Sequence, residues 1–302
     1  MRDPDGDCPT VDVAIVTHQS ANEIGACLES LERSQGSEIA RVTVVDNDSS
    51  DGTTALVREN FPSVELIEAA SNTGFAAATN LAASHGRADF LLALNPDVSL
   101  EADTLSTLVS TLRSKPEVGI VGCRLLLPDG SEDHAARRSF PTPMSALSHF
   151  AGLSRRKRVP GAMKEYLAPE AAGGGEVDAV NGALMLIRRE WFDLIGGFDE
   201  RYWMYMEDLD LCWRFRDRGW LTWYEPSVLA IHVKAASSGK FRSLKLNWAF
   251  HEGMLRFYRD HLASAHNPLY NLAVYAGVLV KFTLSALRSA VARAAQRGSG
   301  SN

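Results

Sequence analysis

Cysteine is scarce in this chain: Cys8, Cys27, Cys123 and Cys212 are four among 302 residues. They lie far apart with no CxxC spacing, so a zinc site is not expected and a reduced, cytosolic setting fits. Basic charge is also in short supply. Lys and Arg number 31 against 37 Asp and Glu, a net charge of −6, whereas a general nucleic-acid binder needs a basic surface. Glycine-rich phosphate loops are missing: there is neither GxGxxG nor GxxxxGK[ST], which removes most of the case for dinucleotide enzymes and P-loop NTPases. The opening "MRDPDGDCPTVDVAIVTHQS" is acidic and lacks the basic-then-apolar order of a signal peptide, so export is not expected. No internal repeat is visible. What is present is ordinary for a globular protein, 45% hydrophobic and 23% charged, with length for one large domain or two small ones.

Apolar runs alternate with helix-like segments. Strands are expected at 11–18, 41–49, 64–69, 88–95 and 118–127. Helices are expected at 20–34, with Ser20 as N-cap, and at 51–61, 74–86 and 101–116. Such βα alternation predicts a parallel sheet with right-handed crossovers. From Pro128 to Glu176 prolines, the basic run "SRRKR" and "GGG" predict loop-rich structure. Order returns at 180–202 as a strand, a short helix and a Gly-Gly turn. A helix is expected at 206–219, with Gly219 at its C-cap, then two short strands within 221–233. The remainder reads as helical and amphipathic.

Several stretches carry candidate chemistry. "VVDNDSSDG" puts Asp46 at a strand end before a helix, where a carboxylate can accept from a base N–H and Ser49, Ser50 and backbone can meet ribose or phosphate. An Asx turn with a helix cap explains the stretch equally well. "SNTGFAAATNLA" places Gly74 at a helix start and Asn80 further along. Gly lets backbone approach a ligand, while a plain helix start with an alanine packing face serves as well. "LLALNPDVSL" is a buried run that stops at Asn95-Pro96-Asp97. Either it is a turn, or Asp97 sits at the carboxyl end of a central strand, where ligands of open α/β sheets bind. A carboxylate there can hold Mg2+ or Mn2+ against a nucleotide diphosphate. His232, ending "VLAIH", is the candidate second ligand, against the alternative of a satisfied core histidine. "YMEDLDLCWR" carries Glu207, Asp208 and Asp210 in a first helical turn. They complement the helix dipole, or one is a general base; Glu207 and Asp208 point about 100° apart and cannot share a role. Phe198, Tyr202, Trp203 and Tyr205 form either a sugar-stacking platform or core.

In order, "VAIVTHQS", "VVDNDSSDGT", "NTGFAAATN", "LNPDV", "NGALMLIRR" and "GGFDERYWMYMEDLDLCWR" resemble the inverting nucleotide-sugar glycosyltransferases of family 2, over about Val11 to Gly239. The resemblance implies a GT-A type α/β fold: a Rossmann-like, mostly parallel sheet flanked by helices, with a C-terminal helical extension. It implies a catalytic domain over 1–239, split into a nucleotide-sugar half (11–127) and an acceptor half (128–239), and an extension over 240–302. "FDERYWMYMEDLDL" with "IHVKAASSG" is most similar to the subgroup that transfers L-rhamnose from dTDP-rhamnose to a polyprenyl-diphosphate-linked saccharide in cell-wall assembly. A UDP- or GDP-sugar transferase and an inactive sugar-nucleotide binder are the alternatives. By the same resemblance Thr17, Asp46 and Asp51 match donor positions, with Asn47, Ser49, Gly74, Phe75 and Asn80 in the same segments. Asp97 matches the last aspartate of the family's DxD metal motif, whose first position here is Asn95. Asp208 matches the base aspartate of the family's Glu-Asp pair, beside Glu207, and His232 matches a metal ligand of some relatives. Asn181, Gly182, Trp203 and Tyr205 fall on the acceptor side.

The last stretch, 267–297, begins apolar and turns basic. Its length tempts a transmembrane reading, which Asn271 and Lys281 weaken. Leu272, Tyr275, Leu279, Phe282 and Ala286 form one stripe at helical spacing, followed by Arg288, Arg293 and Arg297. Two readings stand: a helix packed on the core or on a second subunit in a homodimer, or an interfacial helix on the inner face of the cell membrane, assisted by Arg155 to Arg158.

Overall fold

The computed structural model describes residues 9–35, 38–141, 174–234 and 243–299, with side chains through 290. The basic run 154–158 and residues 235–239 of the last motif lie outside the described residues.

The first half alternates strand and helix as its sequence predicts. β1 (Thr10–Thr17), β2 (Glu38–Asp46), β3 (Glu65–Glu68) and β4 (Phe90–Leu94) lie in the order β3-β2-β1-β4, all parallel. β1 and β4 are buried along almost their whole length, which is why both read as continuous apolar runs. Between them run α1 (Ile24–Glu32), α2 (Thr53–Asn60) and α3 (Phe75–Ser84), and α4 (Thr104–Ser114) follows. α1 starts later than a Ser20 cap would place it. The Ser20 carbonyl accepts the N–H groups of Glu23 and Ile24, at 3.1 and 3.0 Å, in a turn ahead of the helix, and Glu23 is the N-cap. The alanines of α3 have a packing reason. Ala76, Ala78, Ala82 and Ala83 are buried, and short side chains let the helix lie close on β1 and β2.

The second half departs from the all-parallel pattern. β5 (Val98–Leu100), β6 (Val118–Leu126), β7 (Arg137–Arg138), β8 (Gly175–Val177), β9 (Ala179–Val180), β10 (Leu184–Arg188) and β11 (Leu221–His232) follow. The main sheet continues β4-β10-β6-β11-β5, with β8 beside β11, while β7 and β9 form a separate pair. β10 is antiparallel to both β4 and β6. The chain enters β10 at the end where β4 finishes, with Leu184 opposite Leu94, so it must run back between them. The two strands expected within 221–233 are one. β11 passes through Pro226 with a shift of register between Glu225 and Leu229, since a proline without an N–H is tolerated at such an irregularity. The end of β11 pairs antiparallel with β5, His232 opposite Val98. This pairing brings the histidine to the Asn-Pro-Asp turn. The expected loop 128–176 therefore contains ordered strand at Arg137–Arg138 and Gly175–Val177.

α5 (Arg189–Leu194) leads through the Gly-Gly turn to α6 (Glu207–Arg216). α6 ends as predicted on Gly219, at φ +80°. The Gly219 N–H donates to the Arg216 carbonyl at 2.8 Å and that of Trp220 to Phe215 at 3.1 Å, the paired bonds of a Schellman stop. A buried ion pair fastens the halves: Arg189 Nη1 lies 3.3 Å from Asp12 Oδ2, and Arg189 also donates to the carbonyls of Ala83 and Gly86.

α7 (Leu244–Phe257) passes through a π turn (Tyr258–Leu262) towards α8 (Pro268–Ser299). α8 splits the stripe expected of it. Tyr275 and Phe282 face inward, against Tyr258 and Trp248. Leu272 and Leu279 face outward, with Leu269, Val280, Leu284 and Leu287. Asn271 also points inward, accepting from the Tyr258 hydroxyl at 2.5 Å. The helix is apolar on both sides, so spacing alone could not tell which side packs. Pro268–Ala290 is long and apolar enough to cross a membrane by length and composition.

Candidate active site

The carboxyl ends of β1 and β2 build one cluster. Asp46, nearly fully buried, takes the Thr17 hydroxyl on Oδ2 at 2.7 Å and the Ser49 N–H on Oδ1 at 2.8 Å. Thr17 is itself fully buried, so it orients Asp46. Asn47 donates from Nδ2 to the Gly74 carbonyl at 3.1 Å and accepts from the Thr73 N–H and hydroxyl. Asp51 accepts from the N–H of Ala21 and from both N–H and hydroxyl of Thr53. Its slight burial works against the carboxylate, but these bonds hold its pKa below the ordinary value. Ser49 Oγ receives the N–H of Gln19 at 2.8 Å, and Gln19 and Asp48 both stand in the left-handed region. Two left-handed residues thus stand in a tightly tied loop at the carboxyl ends of β1 and β2.

Gly74, Phe75 and Asn80, expected on the ligand side, engage the second half of the chain. At Gly74, φ is +92° and an added Cβ would stand 2.2 Å from the Trp203 carbonyl oxygen. The close approach that glycine permits is to protein backbone, and the Phe75 N–H donates to the same carbonyl at 2.9 Å. The Phe75 ring packs edge-on against Phe198 at 5.7 Å. Asn80 donates to the Phe198 carbonyl and Glu200 and accepts from the Phe198 N–H. These residues join the first half to the Phe198–Trp203 segment.

The Asn-Pro-Asp turn closes β4. Asn95 N–H donates to the Ala183 carbonyl at 2.9 Å, and the chain turns into β5. Asp97 Oδ1 then stands 3.5 Å from His232 Nε2, while the Val233 N–H donates to the Asp97 carbonyl at 2.9 Å. The sequence did not signal Asp133. Its Oδ2 lies 3.2 Å from His232 Nδ1 and its Oδ1 2.8 Å from Lys234 Nζ. Burial opposes the imidazolium, but the carboxylates of Asp133 and Asp97 outweigh it and raise His232 to about 9.

Asp208, at the head of α6, is nearly buried. Its Oδ2 receives the Gly182 N–H at 2.9 Å and the guanidinium of Arg138, and its Oδ1 the Leu209 N–H at 2.8 Å. Arg138, like Asp133, comes from the stretch read as loop. Glu207 beside it is buried, with Oε2 unpartnered among the described residues, and burial followed by the nearby Asp208 charge pushes its carboxyl up to about 8. Tyr205 and Met206, just before the helix, both have φ near +70°, at 71° and 72°, uncommon for non-glycine residues and held in place by the surrounding structure. Asn181 shapes the neighbouring turn by accepting the Ala183 N–H at 2.9 Å. Phe198 and Tyr202 are core, whereas Trp203 and Tyr205 are half-buried. Trp203 carries Lys245 Nζ at 3.8 Å from its ring, and Tyr205 packs on Phe250.

The turn 181–183 links these parts. Ala183 holds the start of the Asn-Pro-Asp turn and Gly182 holds Asp208, so the Asp97–His232 pair and the α6 carboxylate are fixed to one support. That pair also fits a divalent cation. Two neighbouring ligands of an ion at roughly 2.1 Å stand about 3.0–3.4 Å apart, close to the observed separation. Among the described residues no group of three or more His, Cys, Asp and Glu side chains converges on a metal position, so the remaining ligands would be diphosphate and water oxygens.

Comparison with known proteins points the same way. The sequence pattern described as Glycosyl transferase family 2 matches residues 12–195. The N-acetylglucosaminyl-diphospho-decaprenol L-rhamnosyltransferase of Mycobacterium tuberculosis is 31% identical over 241 residues, 76% of this chain and 77% of the relative. Rhamnosyltransferase WbbL of Escherichia coli K12 is 28% identical over 179 residues, 59% of this chain and 65% of the relative. In fold, the mannosyltransferase PcManGT from Pyrobaculum calidifontis, solved in complex with GDP-Man and Mn2+, superposes with a TM-score of 0.59 at 20% identity, covering 98% of this chain and 77% of that one.

Proposed function

We propose that this chain, which belongs to glycosyl transferase family 2, transfers L-rhamnose from dTDP-rhamnose, with inversion, to a hydroxyl of a polyprenyl-diphosphate-linked saccharide. The observation that carries this reading is the shared support at 181–183, which ties a cation-sized Asp–His pair to a buried carboxylate at a helix head. Asp46 and the loop around it receive the nucleoside. Asp97 and His232 would hold a divalent cation, whose charge would offset that growing on the leaving diphosphate. Asp208 removes the acceptor proton: Gly182 and Arg138 fix Oδ2, the Leu209 N–H holds Oδ1, and the remaining lone pair of Oδ1 takes the proton. One displacement from the opposite face inverts the anomeric carbon, so no covalent sugar–protein bond is required. The relatives named as rhamnosyltransferases, one of them for L-rhamnose, support the choice of donor sugar. The test is to offer dTDP-rhamnose, UDP-sugars and GDP-sugars with a lipid-linked N-acetylglucosamine acceptor. Release of dTDP with an inverted anomeric signal in the product is the expected result. Release of pyrophosphate, or rhamnose-independent turnover with a UDP- or GDP-sugar, would sink it.

We also infer that α8 lies on a membrane surface, where such an acceptor resides. Leu269 and Leu272 are 77% and 63% exposed, and the outward face stays uncharged from there to Leu287. A crossing helix would have to give up the inward contacts of Tyr275, Phe282 and Asn271, which favours a helix lying in the interface. The protein should sediment with anionic liposomes, release in high salt, and bind less after truncation at residue 267. Retention in high salt would indicate insertion, and failure to sediment would return α8 to packing on protein.

A further inference from the structure

Asp133 was visible only in three dimensions, and its placement is specific. The stretch after β6 folds back on itself: the Leu127 N–H donates to the Ser131 carbonyl at 2.8 Å, and the Asp133 N–H to the Leu125 carbonyl at 2.8 Å. The Asp133 carboxylate is thereby delivered, 4% exposed, beneath the end of β11. Its Oδ1 is engaged by the Ala135 N–H at 3.0 Å and by Lys234 Nζ at 2.8 Å. Its Oδ2 faces His232 Nδ1 at 3.2 Å. The opposite ring nitrogen, Nε2, faces Asp97.

We propose that Asp133 is a positioning residue for the cation site: by accepting the Nδ1 hydrogen of His232 it commits Nε2 to the ion that Asp97 shares. This rests on the reading of Asp97 and His232 as cation ligands. An imidazole can ligate through either nitrogen, and the hydrogen bond at one nitrogen decides which is offered. A ring left without that partner can turn or present the wrong nitrogen. Lys234 has a separate task. It balances the Asp133 charge and occupies the oxygen that does not face the ring, so the carboxylate serves as acceptor to His232 and does not draw the cation to itself.

The test measures Mn2+ binding to the full chain by the loss of its free-ion EPR signal, with saturating dTDP or UDP present. Variants are Asp133→Ala, Asp133→Asn, Lys234→Met and His232→Ala. In parallel, 15N NMR of His232 in the diamagnetic Mg2+ complex reads which ring nitrogen carries hydrogen, something a general loosening of the fold does not set. We expect Asp133→Ala to weaken Mn2+ about 10- to 100-fold and to abolish the single Nδ1–H form. Asp133→Asn keeps an acceptor and the shape, and should fall between Asp133→Ala and wild type; it carries the test if the alanine variant melts before binding can be read. Lys234→Met should change affinity less than about threefold. Wild-type Mn2+ affinity and an unchanged Nδ1–H form in both Asp133 variants, with His232→Ala still impaired, would overturn the inference and leave the cation pair standing. A loss in Lys234→Met equal to that in Asp133→Ala would show a buried ion pair and no positioning role. Absence of Mn2+ binding in the wild type would overturn both the inference and the cation reading.

Discussion

The two halves of the site hold their carboxylates by different means. Asp46 is held by neighbours on adjoining parallel strands and by the loop that follows it: Thr17, Ser49 and their backbone. Asp208 is held by Gly182 and Arg138, which come from distant parts of the chain, and is aimed by two left-handed residues, Tyr205 and Met206. The first arrangement is repeated βα geometry with a strained loop at its end. The second is an assembly that exists only when several segments meet. In the proposed reading, the nucleotide contact needs only local geometry, whereas the proposed base needs orientation fixed from several sides.

The strongest way to sharpen this contrast is Asp208→Asn. Transfer should fall by roughly 10²–10⁴ while dTDP-rhamnose affinity, read by calorimetry, stays within about threefold. Turnover near the wild-type level would remove Asp208 from the chemistry. Next is Gly74→Ala, which strikes where the halves touch. A Cβ 2.2 Å from the Trp203 carbonyl oxygen, at φ +92°, should cost on the order of 3 kcal/mol in denaturant unfolding and impair donor and acceptor use together. An effect on the donor alone would mean the halves are not coupled there. Asp46→Ala comes third: donor affinity should drop about tenfold, as for loss of a hydrogen bond to a buried charged group, with kcat largely kept at saturating donor. A fall in kcat with donor affinity intact would reverse the assignment. Glu207→Gln is the smallest. Because Glu207 sits at about 8 in the folded chain, above its unfolded value, the folded state binds this proton more tightly. Stability from this group is therefore present below about pH 4.5 and lost as pH rises towards 8. The glutamine variant should show a flatter melting temperature across that window, and an unchanged slope would mean Glu207 is ionised when folded.

Most of the first half was legible in the sequence because its signals are local. A buried parallel strand reads as an apolar run, a following helix shows its period, and Asp46 announces itself at the junction. The reversal of β10 was not legible, since Leu184–Arg188 is about as apolar as the strands beside it and direction depends on where the preceding chain arrives. Asp97 and His232 were named as a candidate pair from their strand ends and by the family resemblance, but the β5–β11 pairing that joins them is long-range and had no local signal. Asp133 and Arg138 were missed because they lie in a polar stretch that looks like any loop. The contacts of Gly74, Phe75 and Asn80 with the Phe198–Trp203 segment were not legible, because a glycine before a helix suits a ligand and a neighbouring backbone equally well. The stripe expected of α8 is split because a helix apolar on both sides does not show by spacing which side packs.

The buried cysteines have an experimental use. Cys123 and Cys212 are pushed up to about 12 by burial, and Cys27 is raised further by burial and the nearby Asp97 charge. A thiol so protected is inert to alkylating reagents until its surroundings open. Cys27 Sγ lies 3.6 Å from the Asn95 carbonyl, directly under the Asn-Pro-Asp turn. With Cys8 replaced by serine, the rate at which Cys27 becomes alkylated would act as a clock for breathing beneath that turn, timed against Cys212 in α6 of the same molecule. If cation and nucleotide bind where Asp97 stands, they should slow the first clock more than the second.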